Sequence, residues 1–171
     1  MTDPKTAFLL FMETGGWVLW IILFVAFLLW MLIAERYWFL KTMWPTIRRE
    51  WVEEWFERED RSSWYAHRIR GQIVADARLK LEVTVHLVKV LVALCPFLGL
   101  LGTVTGMIQV FEVMATDGNS NARAMASGVM ASIIPTMAGM VVALSGLYFS
   151  ARLPQVVTRE TAKLADALRY S

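Results

Sequence analysis

No aspartate, glutamate, lysine, arginine or histidine occurs from Thr14 to Ala34, from Val90 to Phe111, or from Ala124 to Ala151, runs of 21, 22 and 28 residues. A bilayer core about 30 Å thick takes roughly 20 apolar residues in a helix, so each run is long enough to cross one. Without an ionisable group at membrane depth, the spans cannot themselves bind and release protons or carry a charged relay. Cysteine is nearly absent too. Cys95 stands alone, which excludes an intrachain disulfide and a cysteine metal cluster. The two histidines, His67 and His86, have no metal-like neighbours in sequence, and no nucleophile–base set accompanies the spans. No metal, cofactor or enzymatic activity is therefore expected. Glycine is missing between Gly16 and Gly71, and Pro45 is the one proline there, so that stretch reads as helix.

What is present is mostly apolar. At 57% hydrophobic residues and a mean hydropathy of +0.48, the chain is expected to be a polytopic membrane protein. A net charge of +2 gives no footprint for nucleic acid, but its distribution is informative. Ten of the 17 Lys/Arg lie between Arg36 and Lys80, Lys89 follows, and Arg152, Arg159, Lys163 and Arg169 trail the last run. Only Lys5 precedes the first run, and only Arg123 lies in the link between the later two. The positive-inside rule then puts the N-terminus outside (periplasmic) and the C-terminus inside (cytoplasmic). Trp17 and Trp20 at one end of the first run and Tyr37 and Trp38 at the other form an aromatic belt, and no small-x-small site follows. An uncleaved anchor is expected.

The expected layout is all-α with three transmembrane helices. It comprises an amphipathic periplasmic lead-in (1–16, with Phe8, Leu9, Phe11 and Met12 beside Lys5 and Glu13), a first span (17–39), a cytoplasmic helical region (40–86), a second span (87–112), a periplasmic link (113–123), a third span (124–151) and a cytoplasmic tail helix (152–171). Trp44, Ile47, Trp51 and Trp55 make one helical stripe. Ile73, Ala77, Leu81, Val85, Val88 and Val92 make another that runs into the second span, so the second and third helices should extend into the cytoplasm. Thr116-Asp117-Gly118-Asn119 is turn chemistry, with Asn119, Ser120 or Asn121 able to cap the next helix. Pro154 permits a bend, after which Val157, Thr161, Leu164 and Leu168 mark a last short amphipathic helix.

The later two spans carry small and hydroxyl residues that lipid does not require. Gly99, Gly102, Thr103, Gly106 and Gln109/Val110 share one side of the second span, and Gly102-x-x-x-Gly106 is a pattern that lets helices approach closely. Gly128, Ser132, Thr136, Gly139, Ala143, Gly146 and Ser150 line the third. Pro135 removes the donor that would serve the Ala131 carbonyl, and beside Thr136 on the small face this favours a hydrated path. Packing alone is the competing account of the glycines.

The string from Pro96 to Phe111, PFLGLLGTVTGMIQVF, resembles the P-x-x-G-L-x-G-T-V-x-G-x-x-x-x-F signature of the ExbB/TolQ/MotA family of ion-driven inner-membrane motor subunits. Pro96, Gly99, Leu100, Gly102, Thr103, Val104, Gly106 and Phe111 all fit in register, and the three-span topology fits as well. In the third span, ExbB and TolQ proteins read G-I-A-E-A-L-I-A-T-A-x-G. Here Gly128, Thr136 and Gly139 keep their places while Ala131 stands where the family has a membrane glutamate.

The resemblance implies a homo-oligomer, pentameric in the family, whose pore is lined by Thr103, Thr136 and Ser132, with Gly99, Gly102, Gly106, Pro135 and Gly139 serving packing and kink. It implies as partners an ExbD-like single-span protein with a membrane Asp and a TonB-like protein, in the bacterial inner membrane. The expected function is that of a divergent ExbB that uses the proton-motive force to energise TonB-dependent import of siderophore iron or cobalamin. The alternatives are a TolQ-like stator for envelope maintenance, a non-conducting helical scaffold and an independent small channel.

Overall fold

The computed structural model describes Asp3, Lys5, Thr6, Leu9 and Met12, and then residues 15–58, 63–117 and 122–168. Phe8, Phe11 and Glu13 of the lead-in, Gly118 to Asn121 of the link and Arg169 lie outside the described residues. The described chain holds three long helices: α1 (Gly16–Phe56), α2 (Trp64–Asp117) and α3 (Ala122–Ala167). Each is long and apolar enough to cross a membrane. Gly16 opens α1 at φ +67°, a backbone state that glycine reaches without a steric penalty. Ser63 caps α2, its hydroxyl accepting from the Ala66 amide at 3.2 Å.

Two expectations change. The first helix also continues far beyond its apolar run: α1 passes through Pro45 to Phe56, so extension belongs to all three helices. Pro154 does not separate a short tail helix either, because α3 runs unbroken from Ala122 to Ala167. The physical reason is tertiary. Leu153 and Val157, on either side of Pro154, are 6% and 1% exposed, so their burial holds the helix through a site that has lost one backbone bond.

The chain divides into two compact units, residues 1–30 with 90–147, and residues 31–89 with 148–171. In the first unit, α1 contributes Val18, Leu19, Ile22, Val25 and Leu29 to the core at three- and four-residue steps. These meet the small faces of α2 and α3. In the second unit the core is larger in side-chain volume: Trp44 and Trp55 from α1, Ala77, Leu81, Val85 and Val88 from α2, and Leu153, Val157, Leu164 and Leu168 from the end of α3. Most positions of the stripes read from periodicity are buried, while Ile47, Trp51, Ile73 and Thr161 are half-buried.

Candidate functional site

In the first unit α2 and α3 run antiparallel along a seam in which a small residue on one helix repeatedly faces a larger group on the other. A Cβ added at Gly128 would meet Val110 at 2.5 Å, and one at Gly106 would meet the Ser132 Cα at 2.6 Å. One at Gly102 would collide with the Pro135 ring, and one at Gly99 would stand 3.0 Å from the Thr136 Cα. One at Gly139 would fall 2.6 Å from the Cys95 carbonyl oxygen, and one at Gly146 2.5 Å from Val92. The glycines therefore allow backbone-to-backbone approach, the mode by which helices associate in lipid when burial of apolar surface offers little driving force.

The hydroxyls follow two rules. Most close on their own helix: Thr103 donates to the Leu100 carbonyl at 2.7 Å, Thr105 to Gly102 at 3.0 Å, Ser132 to Val129 at 2.7 Å and Ser145 to Val142 at 2.8 Å. Such local bonds satisfy a hydroxyl in lipid without need of a partner helix. Thr136 differs. Its Oγ1 lies 3.1 Å from the Gly99 carbonyl oxygen of α2 and 3.5 Å from the Ser132 carbonyl of its own helix. Gly99 makes this crossing possible, since any side chain there would hold the helices apart.

Thr103 and Thr136 are not joined by a hydrogen bond. Both are half-buried, whereas Ser132 and Pro135 are buried in the seam. Ala131 is half-buried beside them. Among the described residues no group of three or more His, Cys, Asp or Glu is placed to hold a metal ion. What the seam offers is a close helix pair with hydroxyls and backbone carbonyls, groups that orient water or a neighbouring acid but do not titrate near neutral pH.

The second unit holds polar sites that the sequence did not single out. Arg36, 3% exposed, donates through Nη2 to the Lys80 carbonyl at 2.6 Å and lies 4.9 Å over the Phe39 ring. Glu160 accepts from two donors, Lys163 Nζ at 2.6 Å and the Trp44 indole Nε1 at 3.2 Å, and pairs with a further cation, Arg48 Nη1 at 3.7 Å. Burial by itself raises the Glu160 pKa. The hydrogen bonds from Lys163 and Trp44 and the charges of Lys163 and Arg48 outweigh burial and hold it below the usual carboxylate value.

Residues 44–166 match the sequence profile of the MotA/TolQ/ExbB proton channel family. Among curated proteins, a Synechocystis sp. protein named biopolymer transport protein ExbB-like 1 is 44% identical over 64 residues, covering 36% of this chain and 25% of its own length. The Vibrio cholerae biopolymer transport protein exbB1 is 32% identical over 114 residues, covering 66% of this chain and 46% of its own length. The chain thus spans less than half the length of either relative. No solved structure matches.

Proposed function

This chain belongs to the MotA/TolQ/ExbB proton channel family, and we propose from that premise that it is an ExbB-like subunit of a motor in the bacterial inner membrane, driven by the proton-motive force. It works with an ExbD-like single-span subunit that carries a membrane Asp, and through a TonB-like protein it energises outer-membrane import of siderophore iron or cobalamin. Copies of the chain assemble as a homo-oligomer, the pentamer of the family. Each chain places its N-terminus in the periplasm and its C-terminus in the cytoplasm. The enclosed pore presents hydroxyls from Thr103 and Thr136 to the partner's span, with Ser132 buried behind them against Gly106.

The observation that carries this reading is the α2–α3 seam. Its glycines hold the two helices in contact, and Thr136 is already hydrogen-bonded across that contact rather than only to its own turn. The charge-free runs are the second support. With Ala131 where the resembling proteins have glutamate, the group that takes up and releases the proton must come from another subunit. Exposed apolar side chains on α2 and α3, among them Phe97, Val104, Met137 and Val141 at 52–67%, leave ample surface for lipid and for sister subunits.

A non-conducting helical scaffold is the second reading. Ser132 favours it, being buried against Gly106 and bonded to Val129. Co-purification separates the two. A tagged chain co-expressed with an ExbD-like single-span protein should retain that partner through detergent extraction, and cells lacking either should lose TonB-dependent uptake. Full uptake without this chain would remove the motor reading.

A further inference from the structure

In the second unit, the α1 segment at residues 37–41 and the α3 segment at residues 148–160 enclose a cleft of about 550 Å³. Lys41, Arg152 and Arg159 line it together with Tyr37, Tyr148 and Phe149. We propose that this cleft binds the headgroup of an anionic phospholipid, a site additional to any motor role and independent of it.

The charges argue for an anion. None of Lys41, Arg152 and Arg159 forms an ion pair among the described residues. The carboxylate that also lines the cleft, Glu160, already has its oxygens engaged by Lys163, Trp44 and Arg48. Three cations therefore face one cleft without internal neutralisation. Two of them rest on aromatic rings, Lys41 Nζ 4.7 Å from the Tyr37 centroid and the Arg152 guanidinium 5.9 Å from that of Tyr148. That arrangement pre-orients the charges while leaving their donors open.

The position in sequence argues for a lipid. The charge-free runs end at Ala34 on α1 and at Ala151 on α3, so the cleft begins where membrane-compatible helix surface gives out. Tyr37 and Tyr148, each 59% exposed, have the amphipathic ring that settles at headgroup level. Basic pockets at this depth recognise lipid phosphates, and a phosphate takes two or more donors from arginine and lysine in fixed geometry.

Native mass spectrometry of the purified protein measures the site directly. Phosphatidylglycerol and phosphatidylcholine with matched acyl chains serve as probes, and inorganic phosphate as competitor. Phosphatidylglycerol should be retained preferentially, and phosphate should not displace it. Each of Lys41→Gln, Arg152→Gln and Arg159→Gln should weaken retention about fivefold, and the triple variant about a hundredfold. Arg68→Gln, an exposed cation stacked on Trp64 outside the cleft, should change nothing. The same spectra report whether each variant keeps the wild-type assembly, and the three single substitutions are at exposed positions that leave the core untouched. Undiminished phosphatidylglycerol retention by the triple variant would overturn the site, as would equal retention of phosphatidylcholine. Displacement by phosphate would overturn the lipid assignment. Loss of assembly without loss of lipid would make the cleft a contact between copies.

Discussion

Thr136 donates a hydrogen bond across from α3 to α2, and its removal separates packing from chemistry. Thr136→Val keeps the volume and forfeits the bond to the Gly99 carbonyl, a loss of about 0.6 kcal/mol by the measured average for membrane helices. The variant should therefore assemble normally, while coupled uptake falls because the wall loses a hydroxyl oxygen that can accept from water or a protonated acid. Unchanged uptake would reduce Thr136 to a packing residue. Glu160 makes the opposite kind of prediction. Its folded-state pKa lies below the ordinary value of 4.5, so its network stabilises fully above that pH and is lost as pH falls through the lower folded value. Glu160→Gln should cost about 1–2 kcal/mol near neutrality. The gap in melting temperature between wild type and variant should narrow as pH drops below 4.5, and a gap independent of pH would contradict the network. Of these two residues, only Thr136 stands out in the sequence. Local spacing puts it on the small stripe of α3 but does not encode its bond to Gly99. Glu160 meets Trp44 across 116 residues of chain, and no local pattern encodes such a meeting.

Helices carry most of what periodicity can reveal. The buried positions of α2 from Ala77 to Val92 and of α3 from Val157 to Leu168 repeat at helical steps, so those faces could be read directly. The unbroken passage of α3 through Pro154 could not. A proline's local preference opposes helix, and burial of Val157 at 1% overrides it. The glycines of the seam all touch the facing helix, whereas Gly71 in the second unit touches nothing. Leucine at Gly106 or Gly139 would drive a side chain into Ser132 or into the Cys95 carbonyl, costing about 1–3 kcal/mol or more and disturbing assembly. Gly71, by contrast, has open space around the position a Cβ would take and lies within α2. Gly71→Ala should stabilise by about 0.5–1 kcal/mol through helix propensity. A rise in melting temperature for Gly71→Ala together with loss of intact oligomer for Gly106→Leu would establish the contrast. Equal tolerance of both would deny the tight seam.

For the whole molecule, family membership and three membrane-length helices identify the kind of protein, and Ala131 in place of the family's membrane glutamate is the premise of the proposed mechanism. A wall of threonine and backbone carbonyl can solvate a carboxylate and hold water, but it has no group that exchanges a proton near neutral pH. A charged residue at the bilayer centre costs about 2.5–3.5 kcal/mol on insertion scales, so a proton-carrying acid in the partner needs such a wall in order to persist. In the proposed motor the labour divides: this chain would build the oligomeric housing, and the single-span partner would carry the proton. Proton flux into liposomes under an imposed gradient tests that claim most directly, comparing the purified chain alone, the chain with its ExbD-like partner, and the complex with the partner's membrane Asp changed to Asn. The account predicts proton-selective flux for the intact complex only. Robust proton-selective flux from the chain alone, or undiminished flux after the Asp→Asn change, would contradict it.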